Sequence, residues 1–518
     1  MYFVYMIQYR QKEKNSIAFA VRFHVSAGTA MRLDPLDEIR ILDCRRKRQR
    51  ERNVKIMRKE HDFLGELQVP DEVYYGVQTM RAIDNFKITG QVIDSDFVQS
   101  FAKVKKAAAL ANMATGRLDK KIGEALVAAA DEIIAGKMLD QFPVDPIQGG
   151  AGTSVNMNVN EVLCNRALEL IGKPKGSYDI ISPNNHANMA QSTNDAFPTA
   201  IKVCLSHKAK KLTASLARLA DELDKKSEEY KDILKMGRTH LQDAVPITLG
   251  QEMGSYASAV RRGIRRIDHA IEEIHIINMG GTAVGTGLNA EPEYIRKVAE
   301  TMTEVTGETY RTADNIIDAT NNTDGFSDVS SAMKTTALVL IKMANDFRLM
   351  ASGPRCGLNE LKLPKRQPGS SIMPGKVNPV IAEVLDQACY QVIANDLAVS
   401  LGVENGQFEL NVMEPVISFN MFNSMKYMTN AVDTFIDKLL VDLEPNREQC
   451  QEWLDKSVGV VTAMLPHIGY ENSAMIAKEA YNTGKPVRQV ILEKGLISKE
   501  KMEKILSPKQ MTTPGIAG

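Results

Sequence analysis

TAIKVCLSHKAKKLTASLARLADELDKKSEEYKDILKM, residues 199–236, runs for 38 positions with neither glycine nor proline. Leu205, Leu212, Leu216, Leu219, Leu223 and Tyr230 recur within it at helical spacing, which places them on one face of a 3.6-residue repeat. At 1.5 Å per residue this is a rod of roughly 57 Å, and so long an apolar stripe needs partners of similar length. Residues 249–278, 326–351 and 380–400 show comparable pattern, and 419–441 is a fifth candidate. Helical pattern also covers 96–114, 119–135 and 155–171, while strand-type alternation is rare. The expectation is an all-α protein, a long central helical bundle flanked by smaller N- and C-terminal helical domains.

The composition agrees. Of 518 residues a quarter are charged, 44% hydrophobic and only 6% aromatic, with a formal net charge of zero. Nothing global therefore points to nucleic acid as a partner. No apolar run reaches the roughly 18–20 residues of a membrane span, so no membrane partner is expected. The six cysteines form no C-x-x-C pair, and the eight histidines form no H-x-x-H or H-x-x-x-H pair. This pattern argues for reduced thiols in a cytoplasmic protein, without a metal site.

The neutral total hides an asymmetry. Residues 1–58 hold 14 Lys/Arg against 6 Asp/Glu, much of the surplus lying in Arg45-Arg46-Lys47-Arg48-Gln49-Arg50. We read 1–58 as a basic extension outside the fold rather than a nucleic-acid or targeting arm. An N-terminal domain at 59–193, the bundle at 194–448 and a small C-terminal domain at 449–518 follow, the last marked by Pro466, Gly469, Gly484 and Pro486.

Chemistry gathers in the loops where helices begin or end. Gly149–Ser154, Ser192–Asn194, Thr239–His240 and Ser370–Asn378 supply hydroxyls, amides and glycines with one histidine and one lysine. Asn378 is expected to cap the following helix, with Pro379 in its first turn. Gly149–Ser154 feeds a helix, yet no strand precedes it, and neither G-x-G-x-x-G nor a Walker motif is present. Taken singly, each loop is an ordinary capped helix, and His240 or Lys376 alone an ordinary surface residue. Taken together, hydroxyls, amides and helix N-termini suit a small doubly anionic carboxylate.

The residues also carry a resemblance. GSSIMPGKVN at 369–378 resembles the signature loop of the aspartase/fumarase superfamily of lyases. GGAGTS at 149–154, QSTNDAFPT at 191–199, GRTHLQDA at 237–244, GGTAVGTGLN at 280–289 and GQFELNVMEP at 406–415 extend the match. It runs from about residue 62 to the C-terminus. Thr193, Met413-Glu414-Pro415 and the ending at Pro514-Gly515-Ile516 lean to the aspartase branch, whereas His240 does not discriminate.

The resemblance implies reversible deamination of L-aspartate to fumarate and ammonia through an aci-carboxylate intermediate. No organic cofactor is required, and divalent-ion activation is not readable from the residues. By the same resemblance Ser370 is the general base. Thr153, Ser192, Thr193 and Ser371 surround the β-carboxylate, and Lys376 and Asn378 hold the α-carboxylate. Asn194, Thr239 and His240 lie near the amino group and the α-carboxylate, with Gly369 and Gly375 as bending points of a closing loop. A homotetramer with active sites shared between subunits is implied too. Class II fumarate hydratase is the alternative, and a catalytically inactive protein that keeps the lyase fold is a further one.

Overall fold

The computed structural model describes residues 2–8, 18–24, 32–33 and 56–518; the basic run at 45–50 lies outside them. The chain divides into two compact units, Met1–Val73 and Tyr74–Gly518. In the first, β1 (Tyr2–Gln8), β2 (Ala18–His24) and β3 (Arg32–Leu33) form an antiparallel sheet. Next come β4 (Met57–Asp62) and β5 (Gly65–Pro70), an antiparallel hairpin. The expected division at residue 58 falls inside β4. The turn is closed by Asp62, whose carboxylate accepts from the Leu64 N–H at 2.9 Å.

The second unit is predominantly helical. Helix α1 (Val77–Asn85) leads into α2 (Ser95–Ala114), α3 (Lys120–Ile134) and α4 (Thr153–Leu170). The long stripe forms α5, Thr193–Glu229. It is followed by α6 (Leu249–Glu273), α7 (Pro292–Thr306), α8 (Asp324–Met350), α9 (Val380–Glu404) and α10 (Glu414–Phe435). Helix α5 packs on α6, α6 on α8, α8 on α9, α9 on α10, and α10 back on α5, so the five close a ring. Leu205, Leu212, Leu216, Leu219 and Leu223 are fully buried, each contributing about 2 kcal/mol of transfer free energy.

The start of α5 is set by local chemistry. Ser192 is its N-cap and Asp195 completes a capping box, satisfying N–H groups that a helix start leaves open. Pro198 sits one turn further in. Lacking an N–H, it leaves the Asn194 carbonyl without its helical donor. The Asn278 side-chain amide supplies one at 3.0 Å.

The end of α5 departs from the expectation. The helix stops at Glu229, and Leu234–Thr239 becomes strand β6, paired with β7, Gln242–Thr248. Two tertiary effects override the continuing apolar pattern. Gly250 of α6 lies so close to the chain leaving α5 that a Cβ would come within 2.3 Å of the Ser227 carbonyl oxygen. Leu234 and Met236, meanwhile, join a second apolar core with Leu454, Val460, Ile476, Val490 and Ile505. That core gathers the short helices between Arg447 and Thr512.

Among the described residues no helix is long and apolar enough to cross a membrane, and no cluster of His, Cys, Asp or Glu could hold a metal ion. Cys164, Cys204, Cys389 and Cys450 are buried free thiols, Cys356 is an exposed one, and Cys44 is outside the described residues.

Candidate active site

The first group of polar loops meets at the N-terminal ends of α4 and α5. Thr153 opens α4, and its hydroxyl donates to the Gly150 carbonyl at 2.8 Å. The Ser192 oxygen accepts from the Asn194 N–H at 3.2 Å. Thr193 Oγ1 accepts from Asn156 Nδ2 at 3.2 Å, which ties α4 to α5. Asn194 Nδ2 donates to the Ala283 carbonyl at 2.7 Å. Asp195 is fully buried and receives the N–H groups of Ser192, Gly280 and Thr282, so the glycine run at 280–289 is docked on the same helix start. Burial pushes the Asp195 carboxyl up to about 6 despite these donors.

The second group lies at the other end of the bundle. Strands β6 and β7 are joined by His240 and Leu241, both with left-handed backbone (φ 55° and 59°). This is the two-residue turn that matches strand twist, normally built from Asn-Gly or Gly-Gly. Non-glycine residues there cost on the order of 1 kcal/mol each, and both side chains are exposed. Along β6, Arg238 Nη1 near the turn reaches the buried Glu360 carboxylate at 2.8 Å, and Lys235 Nζ near the base reaches its other oxygen at 3.0 Å. Glu360 lies just beyond the C-terminal end of α8. Arg348 of α8 pairs with Asp386 of α9 at 2.9 Å, so the loop before α9 belongs to this end too.

That loop is closed at a narrow neck. The Gly369 N–H donates to the Lys376 carbonyl, and Asn378 Nδ2 donates to the Gly369 carbonyl, each at 2.8 Å. Asn378 is therefore not the cap of α9: Pro379 holds that position, and the asparagine side chain is spent on the neck. Within the loop, Ser370 Oγ accepts N–H groups from Ile372 and Met373 at 3.3 and 3.0 Å. Two donors on one hydroxyl oxygen favour negative charge there. Ser371 and Lys376 are exposed.

One chain thus brings Thr153, Ser192, Thr193 and Asn194 together. It places Thr239, His240, Ser370, Ser371, Lys376 and Asn378 at the opposite end. The separation is the length of α5, roughly 55 Å for 37 residues. No single copy of the chain can surround one small molecule with both groups.

Behind the first group is a buried polar network that the loop motifs do not announce. Lys105 Nζ donates to Asn188 Oδ1 and Gln191 Oε1, each at 3.0 Å. Asn188 Oδ1 also accepts from Asn156 and Asn160, each at 3.2 Å. Burial pushes the Lys105 ammonium down to about 7. A signal for it stands in the sequence: Asn156, Asn158, Asn160 and Asn165 interrupt a helix whose other residues are mostly apolar, and Lys105 lies in an alanine-rich run.

The family model described as "Lyase" matches residues 65–394, and "Fumarase C C-terminus" matches 460–513. Curated relatives include an aspartate ammonia-lyase from a Bacillus species, 53% identical over 89% of this chain and 99% of its own length. That of Escherichia coli K12 is 45% identical over 88% and 96%. Among solved structures, a fumarate lyase:delta crystallin from Brucella melitensis bound to cobalt has a TM-score of 0.86 at 42% identity. The class II fumarase of Schistosoma mansoni has a TM-score of 0.84 at 38% identity. Each covers 89% of this chain and 100% of its own. The chain belongs to the aspartate ammonia-lyase family, within the aspartase/fumarase superfamily of lyases.

Proposed function

We propose that this protein catalyses the reversible elimination of ammonia from L-aspartate to give fumarate. The observation that carries this is likeness to aspartate ammonia-lyases over 88–89% of the chain, in a chain whose candidate base, Ser370, receives two loop N–H groups. The hard step is removal of a weakly acidic Cβ proton beside a carboxylate. Ser370 takes it, and the N–H groups of Ile372 and Met373 favour the alkoxide that does so. Charge then spreads into the β-carboxylate, which becomes doubly negative before the C–N bond breaks. Preorganised donors must meet it there.

The hydroxyl polarities suit that task. Ser192 and Thr193 accept from Asn194 N–H and Asn156 Nδ2, which leaves their own protons for a substrate oxygen. Thr153 donates to Gly150 and must rotate to join them, and Ser371 completes the set. Lys376 and Asn378 hold the α-carboxylate, with Asn194, Thr239 and His240 near the amino group.

Because the two groups lie about 55 Å apart in one chain, each active site is assembled from different subunits of a homotetramer. The buried thiols suit a cytoplasmic protein.

Formation of fumarate is followed by absorbance near 240 nm with L-aspartate and with L-malate. Turnover of aspartate is expected; fumarate from malate alone would overturn the reading. S370A should abolish turnover with the oligomer intact. Dissociating and reassociating S370A with T193V should restore activity, because about one shared site in four then receives both wild-type halves. A site confined to one chain would recover none.

A further inference from the structure

The Thr193 hydroxyl can help the reaction only if its proton points to the substrate, and nothing in the hydroxyl itself decides that. Its neighbour Asn156 could in principle face it with either the amide N–H₂ or the carbonyl oxygen. The decision is made two residues further back. Lys105 is fully buried in the network and can only donate in its charged form; its Nζ lies 3.0 Å from Asn188 Oδ1 and 3.0 Å from Gln191 Oε1. The other ends of both amides are anchored as donors, Asn188 Nδ2 to the Gln191 carbonyl at 3.1 Å and Gln191 Nε2 to the Ala187 and Met189 carbonyls at 3.1 Å. Asn188 Oδ1 is thereby fixed toward the lysine and toward α4. A carbonyl oxygen of Asn156 turned to meet it would be repelled, so Asn156 presents Nδ2, 3.2 Å from Asn188 Oδ1 and 3.2 Å from Thr193 Oγ1.

We infer that Lys105 and Asn156 are positioning residues that set the polarity of the Thr193 hydroxyl, holding it as a donor toward the substrate carboxylate. The inference rests on the role proposed above for Thr193. Among the described residues no acceptor takes the Thr193 hydroxyl proton, in keeping with a donor held ready. A cost accompanies the arrangement: Asn156 Oδ1 is buried without a partner, as expected where orientation is imposed from outside. The arrangement also tolerates loss of the lysine proton, since a neutral amine keeps two N–H groups for its two carbonyl partners.

The test is a double-mutant cycle of N156D and T193V, assayed with L-aspartate. A carboxylate at 156 accepts only, so it draws the Thr193 proton inward. N156D and T193V should each lower kcat on the order of 10²-fold, with KM within about threefold. The double variant should be no more than about threefold slower than the worse single one, because the donor is already lost. A double variant slower by the product of the two effects would overturn the inference while leaving Thr193 as a donor. T193V with wild-type kcat would instead overturn the role of Thr193 itself, and a wild-type protein inert toward aspartate would overturn the functional reading. Melting temperature and oligomeric state are measured for all four proteins. If N156D does not accumulate in soluble form, N156S takes its place in the same cycle, with the same two outcomes.

Discussion

Gly369 has the sequence context of a hinge, but its backbone is not left-handed; what it provides is room. A Cβ there would lie 2.6 Å from the Lys376 carbonyl oxygen and 2.8 Å from the Asn378 nitrogen, both backbone atoms. Reaching ordinary van der Waals separation requires the two sides of the neck to part by about 0.8 Å. G369A should therefore strain or break two hydrogen bonds, Gly369 N–H to Lys376 and Asn378 Nδ2 to Gly369, at about 1 kcal/mol each. The loop is exposed, so the melting temperature should hardly move. Turnover should suffer far more: a displacement near 1 Å of the loop carrying Ser370 and Lys376 costs on the order of 10²-fold in rate. Gly375 is the contrast. It has φ 84° and nothing within 4 Å of the point where a Cβ would lie, so G375A costs about 1 kcal/mol of backbone strain without prying the neck open. The assay is kcat for fumarate formation beside a thermal melt. Wild-type kcat in G369A, or a greater loss in G375A than in G369A, would refute the reasoning.

Two further outcomes follow from buried charge. E360A leaves the half-buried Arg238 without its carboxylate, while Lys235 keeps Glu252 at 2.7 Å, a loss of about 3 kcal/mol. Amide exchange of β6 and β7 should quicken while the middle of α5 is unaffected; unchanged exchange in the hairpin would count against the ion pairs as its anchor. Lys105 releases its proton at about 7 when folded, against 10.5 ordinarily. Between those values the unfolded chain binds more protons, so this group's contribution to stability is complete above about 10.5 and lost as pH falls through about 7. Urea midpoints should therefore rise from pH 7 to 9.5 more steeply in wild type than in K105M, and identical slopes would exclude the burial of a titrating lysine.

Most of the bundle was legible because an apolar face at 3.6-residue spacing has one good solution. Helices α2, α3, α4, α6, α8 and α9 begin within a few residues of where spacing and capping place them. The end of α5 was not legible. Leu234 and Met236 continue an apolar helical pattern, and only their burial against the C-terminal core makes them strand residues. The hairpin was hidden for a second reason, since His240-Leu241 has none of the usual turn residues. At the site, the loop chemistry could be read from hydroxyls and amides at helix starts. Its distribution between two ends of one helix could not, because distance along a bundle is a property of packing. Asn378 shows the limit of local rules: a good cap by type, it is drawn to the Gly369 carbonyl by the loop it closes.

The length of α5 has a kinetic meaning. On the proposed assembly, a freshly made chain is inert however well it folds, because neither of its ends is a complete centre. Activity appears with association and is second order or higher in chain concentration until assembly saturates. Progress curves begun from dilute or newly refolded protein should show a lag that shortens as more chain is added. Specific activity is then a measure of how crowded the subunits are, as well as of how well each one is made.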